Sequence, residues 1–178
     1  MTAIRHLWVR VSTWMHNTSV RRKYHHGWRI RSGAKALGKV RSFVGEGRAG
    51  RIFSYLRKLD TAVFEELVLE ALRPCGYIDK RNGRYTGDGG IDGRIWHCDR
   101  GWGAIQCKRY SGPIATADLR KFVHDLRREG LQFGFFIHTG KTPSSVDRRG
   151  LRMAVPSVEI VSGQQLIDLI DGRWRAAA

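Results

Sequence analysis

Asp92, Gln106 and Lys108 are the residues whose types and spacing invite chemistry. They lie in GDGGIDGRIWHCDRGWGAIQCKRY, residues 87–110, where the acid follows a glycine pair and the amide and the ammonium close an apolar run. An acid and an amide oxygen suit a hard cation such as Mg²⁺, which takes oxygen ligands, keeps several waters and accepts a substrate phosphate as a further ligand. Such a cation would polarise a phosphoryl oxygen and acidify a water. Lys108 would orient that water and offset charge developing on the phosphate. A neutral Gln106 lowers the ligand charge, so metal binding is expected to lean on bound substrate.

Two strands must position this set. IDGRIW and WGAIQCKRY read as a hairpin around HCDRG. Side chains alternate across a strand, so Gln106 and Lys108 share one face and Ile105 and Cys107 the other. A two-residue loop at Asp99-Arg100 would put Asp92 opposite Cys107, on the wrong face. A three-residue loop, Asp99 to Gly101, would pair Asp92 with Lys108, and a glycine at the third position favours it. The preceding segment TAVFEELVLEALRPCGY reads as a helix capped by Asp60 or Thr61 and ended by Pro74 and Gly76. With Phe64, Leu67, Val68, Ala71 and Leu72 as its apolar stripe, Glu65 falls at the stripe's edge and can reach the sheet as a second acid. Glu66 and Glu70 are expected to point to solvent. A cross-strand ion pair between Asp92 and Lys108 fits the same spacing equally well.

The bulk composition points the same way. The chain has 178 residues and a net charge of +16, and residues 1–59 hold fourteen Lys or Arg against the single acid Glu46. A basic block of this kind suits a polyanion, nucleic acid first and an anionic membrane surface second, with a solvated tail as the bland alternative. No apolar run is long enough to span a membrane. Three cysteines without a Cys-x-x-Cys pair argue against a disulfide framework and suggest a reducing cytoplasm. His97-Cys98 lacks a second pair at zinc spacing and reads as strand. GEGRAG, residues 45–50, has dinucleotide-loop spacing but no strand before it, so it reads as a linker.

The organisation expected is therefore a basic N-terminal extension and Gly-rich linker over residues 1–50 and a folded domain over 51–178. Residues 1–44 carry Trp8, Trp14 and Trp28 among Arg and His without clean helical or strand periodicity. Beyond residue 51, RIFSYLRKL reads as helix and Tyr77 to Lys80 as a short strand. Thr116 is expected to cap a helix containing Leu119, Phe122, Val123 and Leu126; LQFGFFIHTG is a buried strand, TPSSVDRRGLRMA a helix and VEIVSG a strand. Ser162 caps a last helix. This order describes an α/β fold with a mixed sheet flanked by helices.

FEELVLEAL, GY, RYTGDGGIDG, AIQCKRYSG, GFFIHTG and VEIVSGQQLIDLI, in this order over residues 60–171, resemble the Mrr-type restriction endonuclease domain of the PD-(D/E)xK nuclease superfamily. The variant resembled has glutamine at the third acidic position. The resemblance implies a restriction-endonuclease-like αβββαβ core and Mg²⁺-dependent hydrolysis of DNA phosphodiesters, often of foreign or modified DNA in prokaryotic defence. It places Asp92, Gln106 and Lys108 at the motif positions and Glu65 at the helical acid, with Asp92, Glu65 and Gln106 as metal ligands. The winged-helix region that such enzymes often use to read DNA is not recognisable here. Phosphate contacts are expected instead from the extension and from Arg84, Arg109, Arg120 and Lys121, although a solvated helix face is the better account of the last two. The expected partner is double-stranded DNA, and cutting both strands requires a homodimer. A catalytically weak DNA-binding module of the same fold, or a nuclease for branched DNA, are the alternatives.

Overall fold

A computed structural model describes residues 2–21, 24–81 and 90–177. Five strands form one sheet: β1 (Ile78–Arg81), β2 (Gly93–His97), β3 (Gly101–Lys108), β4 (Phe133–His138) and β5 (Ser157–Val161). They lie side by side in chain order. β1, β2 and β3 pair antiparallel, and β3, β4 and β5 pair parallel. β3 thus joins a hairpin meander to a parallel half, and its inner residues are buried on both faces. Parallel neighbours require crossovers. α5 (Thr116–Arg128) connects β3 to β4, and α6 (Arg148–Met153) connects β4 to β5. α7 (Gln164–Ile170) closes the domain.

The two sheet faces are covered differently. α5 lays Leu119, Phe122 and Leu126 on the face carrying Ala104 and Phe136. The other face, with Ile95, Ile105, Cys107, Phe135 and Ile137, is covered by α4 (Thr61–Leu72) and α7. Asp60 starts α4, its carboxylate accepting from the Ala62 and Val63 amides. A 3₁₀ turn (Arg73–Cys75) and Gly76, at φ 91°, end it. Ser162 does not cap α7: that helix begins behind Gly163, and the Ser162 hydroxyl instead meets Thr142 and Arg148.

Residues 2–41, which carry no legible periodicity, form two helices, α1 (Thr2–Arg21) and α2 (Tyr24–Arg41). α2 sends Ala36, Leu37 and Val40 into the same core as α4. This corrects the expectation for α4: Glu66 does not face solvent but is 1% exposed, because α2 covers the side that the apolar stripe leaves open. Glu70 is also engaged, by Arg73 and Arg81. The approach of the two helices is close enough to need a glycine. A Cβ on Gly33 would lie 2.6 Å from the Glu66 Cβ and 2.9 Å from the Leu67 nitrogen. Gly33→Val is expected to destabilise the fold by about 1–3 kcal/mol through overpacking, read as a lowered urea midpoint at unchanged m-value.

α3 (Arg48–Lys58) follows and buries Ile52 and Leu56 in that core. α1 lies along the outer edge of β1. Its Asn17 amide donates to the Asp79 carbonyl at 2.8 Å and its Oδ1 accepts from the Arg81 amide at 3.1 Å, while the His16 ring meets the Arg81 carbonyl at 2.8 Å. Side chains thereby fill the backbone positions that a sixth strand would otherwise occupy. No helix among the described residues is long and apolar enough to cross a membrane.

Candidate active site

The hairpin brings its residues together through a register offset from the expected one. His97 pairs with Gly101, so the three-residue loop is Cys98 to Arg100, with Gly101 at φ 73° just beyond it. The ladder runs to Gly93↔Ile105 and there the strands part. Extended, the register would set Asp92 against Gln106 rather than Lys108, which preserves the parity and shifts the partner by two. Asp92 sits at the parting. Its amide donates to the Ile105 carbonyl at 3.0 Å, and its Oδ2 accepts from the Cys107 amide at 2.6 Å, taking a ladder position with a side chain.

Glu65 approaches from α4 and is 7% exposed. Burial in the core raises its carboxyl from the usual 4.5 to about 9, helped by the negative charges of Asp92, Glu66 and Asp60 and opposed by Arg29. The structure therefore brings Asp92 and Glu65 together as adjacent carboxyls, one of them held protonated at neutral pH. Cys107, buried beside both, has its thiol pushed well up by desolvation and by the same two acids. Gln106 and Lys108 alternate with Cys107 and so project from the other face of β3, toward α5. The Gln106 Nε2 donates to the Gly90 carbonyl at 2.6 Å, and its Oε1 is buried with no hydrogen-bond partner among the described residues. The Lys108 side chain is half-buried, and its ammonium makes no hydrogen bond or ion pair among the described residues. Its expected pairing with Asp92 is not formed.

The turn carrying Gly90 is held from α5. A Cβ there would lie 2.5 Å from the Asp125 Oδ2 and 2.7 Å from the Lys121 Nζ, and the residue takes φ 97°. Only glycine fits on both counts. Asp125 is 1% exposed and accepts from Lys121 at 2.8 Å and Arg128 at 2.7 Å. Sequence reasoning passed over it, although an acid three residues after Phe122 and one before Leu126 stands inside an apolar stripe, a legible signal. Lys121 is thus tied to Asp125 with its side chain 55% exposed, whereas Arg120 is exposed and has no partner among the described residues. Arg109 is exposed but donates to the Arg57 and Leu59 carbonyls and the Thr61 hydroxyl, bracing the α3–α4 junction. Arg84 lies outside the described residues. His97, Cys98 and Asp99 place one ligand atom each within 4.8 Å of one another, but the His97 Nδ1 already accepts the Asp99 amide.

The Asp92–Glu65 pair fits a hard divalent cation, since a positive charge would relieve a neutralised carboxyl beside a second carboxylate; the Gln106 Oε1, unpartnered among the described residues, is a further oxygen on the α5 side of β3. The protonation of Glu65 has a measurable consequence. A carboxyl raised to about 9 stabilises the fold fully below pH 4.5 and loses that contribution as the pH climbs to 9. Glu65→Gln removes the titration. Its advantage over the parent in metal-free buffer should grow by about 3 kcal/mol between pH 5 and 7, followed by chemical denaturation. A difference that stays flat with pH would refute the buried neutral carboxyl.

A family model described as restriction endonuclease, the Mrr catalytic domain, matches residues 56–170. No curated protein matches the chain.

Proposed function

Because this chain belongs to the Mrr-type restriction endonuclease family, we propose that it is a Mg²⁺-dependent endonuclease hydrolysing phosphodiester bonds of double-stranded DNA, with Asp92, Gln106, Lys108 and Glu65 as its catalytic set. The observation that carries the reading is the adjacency of Asp92, held at the strand parting by the Cys107 amide, and the buried, neutralised Glu65. Asp92, Glu65 and Gln106 would hold the cation, which when bound would polarise the scissile phosphoryl group and acidify a water. Asp92 is oriented for that task by the Cys107 amide. Glu65 would release its proton as positive charge arrives, which makes metal affinity rise with pH. Lys108 would donate to the attacking water and to the phosphate oxygens as they gain charge.

Arg120 and Lys121 on α5, with Arg84 and the basic residues of 1–50, would hold the duplex by its phosphates without reading sequence. Arg109 would contribute only by releasing its grip on the α3–α4 junction. Cutting both strands would take two such sites, hence a homodimer. A role in cytoplasmic defence against foreign DNA fits this chemistry. The test is cleavage of supercoiled plasmid, methylated and unmethylated, with Mg²⁺ or with EDTA. Cutting that EDTA abolishes supports the reading. Tight DNA binding without cutting on either plasmid would favour the binding module instead.

A further inference from the structure

α1 has two faces of opposite fate. Val9, Thr13 and Val20 are buried against the domain, and His6 stacks on Trp96 with ring centroids 5.1 Å apart. About half a turn away, at 100° per residue, Ile4, Leu7, Trp8, Val11, Trp14 and Met15 form one stripe, and all six are 49–79% exposed. Together they occupy an arc of about 120°. Scattered apolar residues at a surface need no explanation, but a contiguous stripe of this size marks an interaction surface. Arg5 and Arg10, both exposed, flank it on either side. α1 contains no acid, and the first acid in the chain is Glu46.

The charge selects the occupant. A second copy of this helix would set Arg5 and Arg10 against their own kind, with no carboxylate in α1 to pair them, and like charges across an interface are costly. Duplex DNA would satisfy the arginines but would present sugar and phosphate to Ile4, Leu7, Val11 and Met15. A bilayer bearing anionic phospholipid answers both needs, with an acyl boundary for the stripe and negative headgroups for the arginines. Trp8 and Trp14 suit the boundary between the two layers. We propose that the outward face of α1 docks in the plane of an anionic phospholipid surface, holding the nuclease domain at a membrane it does not cross. The inward face keeps its bonds to β1 throughout, so docking requires no rearrangement.

The test is co-sedimentation of the full chain with vesicles of phosphatidylcholine alone or of phosphatidylcholine with phosphatidylglycerol. The parent is expected to bind the anionic vesicles with a blue shift of tryptophan emission, and to partition at least about tenfold less onto neutral ones. Leu7→Ser with Val11→Ser should lose about tenfold or more on anionic vesicles while keeping plasmid cleavage and the parent's circular dichroism. Arg5→Glu with Arg10→Glu should lose a similar factor. Absence of parent binding to anionic vesicles overturns the proposal, as does equal binding by the serine variant, which would mean charge attraction alone. It is also overturned if the serine variant loses DNA affinity and not vesicle affinity, or if it dissolves a dimer that the parent forms in solution.

Discussion

Lys108→Ala is expected to slow plasmid cleavage by about 10²–10³-fold, the scale on which a single group stabilising charge in the transition state acts. The fold should be unaffected. Lys108 ends β3 half-buried and its ammonium makes no ion pair or hydrogen bond among the described residues, so its removal strands no buried partner. Asp92→Asn should reduce cleavage at least as far, by about 10²-fold or more, for a separable reason. An asparagine oxygen can still accept the Cys107 amide that the Asp92 Oδ2 accepts at 2.6 Å, so the strand parting survives while the charge is lost. Single-turnover cleavage, with circular dichroism and urea midpoints for each variant, reads both quantities. A folded Lys108→Ala chain that cuts at the parental rate would remove Lys108 from the chemistry. A large loss of stability would mean instead that the ammonium is structural.

The second large effect is on stability and centres on Arg81. Its side chain is 2% exposed and donates to Glu66 at 2.7 Å, Glu70 at 2.9 Å and Asp79 at 2.5 Å. Arg73 closes the set on Asp79 at 2.8 Å and on Glu70 at 2.7 Å. Two of these acids are on α4, Asp79 is on β1, and Arg81 is the last residue of β1, so one guanidinium ties the edge strand to the helix that carries Glu65. Arg81→Met keeps the apolar stem and removes the charge, leaving carboxylates in a site built around a cation. The expected cost is about 3–5 kcal/mol, since breaking a buried pair from one side leaves the other desolvated. Chemical denaturation at pH 7 checks the statement. A midpoint within experimental error of the parent's at pH 7 would show that the network is dispensable.

What could be read in advance follows from where the determining contacts lie. The helix under Asp60, the hairpin, the buried Phe133–His138 strand and the α/β order all rest on local period and turn chemistry, and each is found. The hairpin loop slipped by one residue because glycine next to a turn can serve as its last member or as the residue after it; Gly101 takes the latter place. Glu66 illustrates the other limit. A helical wheel assigns solvent to whatever lies opposite the apolar stripe, but α4 is enclosed by the sheet on one side and α2 on the other. α2 itself was hidden because its buried contacts include the small residues Gly33 and Ala36, which bring backbones together without announcing a hydrophobic period. Of the candidate site, residue identities were legible. The protonated state of Glu65 and the unpartnered oxygen of Gln106 were not, since both depend on what surrounds them in space.

The side-by-side order of the five strands bears on how the chain reaches this structure. Each strand pairs with the one made just before it, so the sheet can grow from the β2–β3 hairpin by short steps, without waiting for a distant partner. The closure that covers β1 is longer, since the bonds of α1 to that strand span 62 to 65 residues of sequence. A chain that assembles in this order would gain its sheet early and its edge cover late. In the interval β1 would stand open to strands of neighbouring molecules. Refolding yield should therefore fall steeply with protein concentration even where the finished fold is stable.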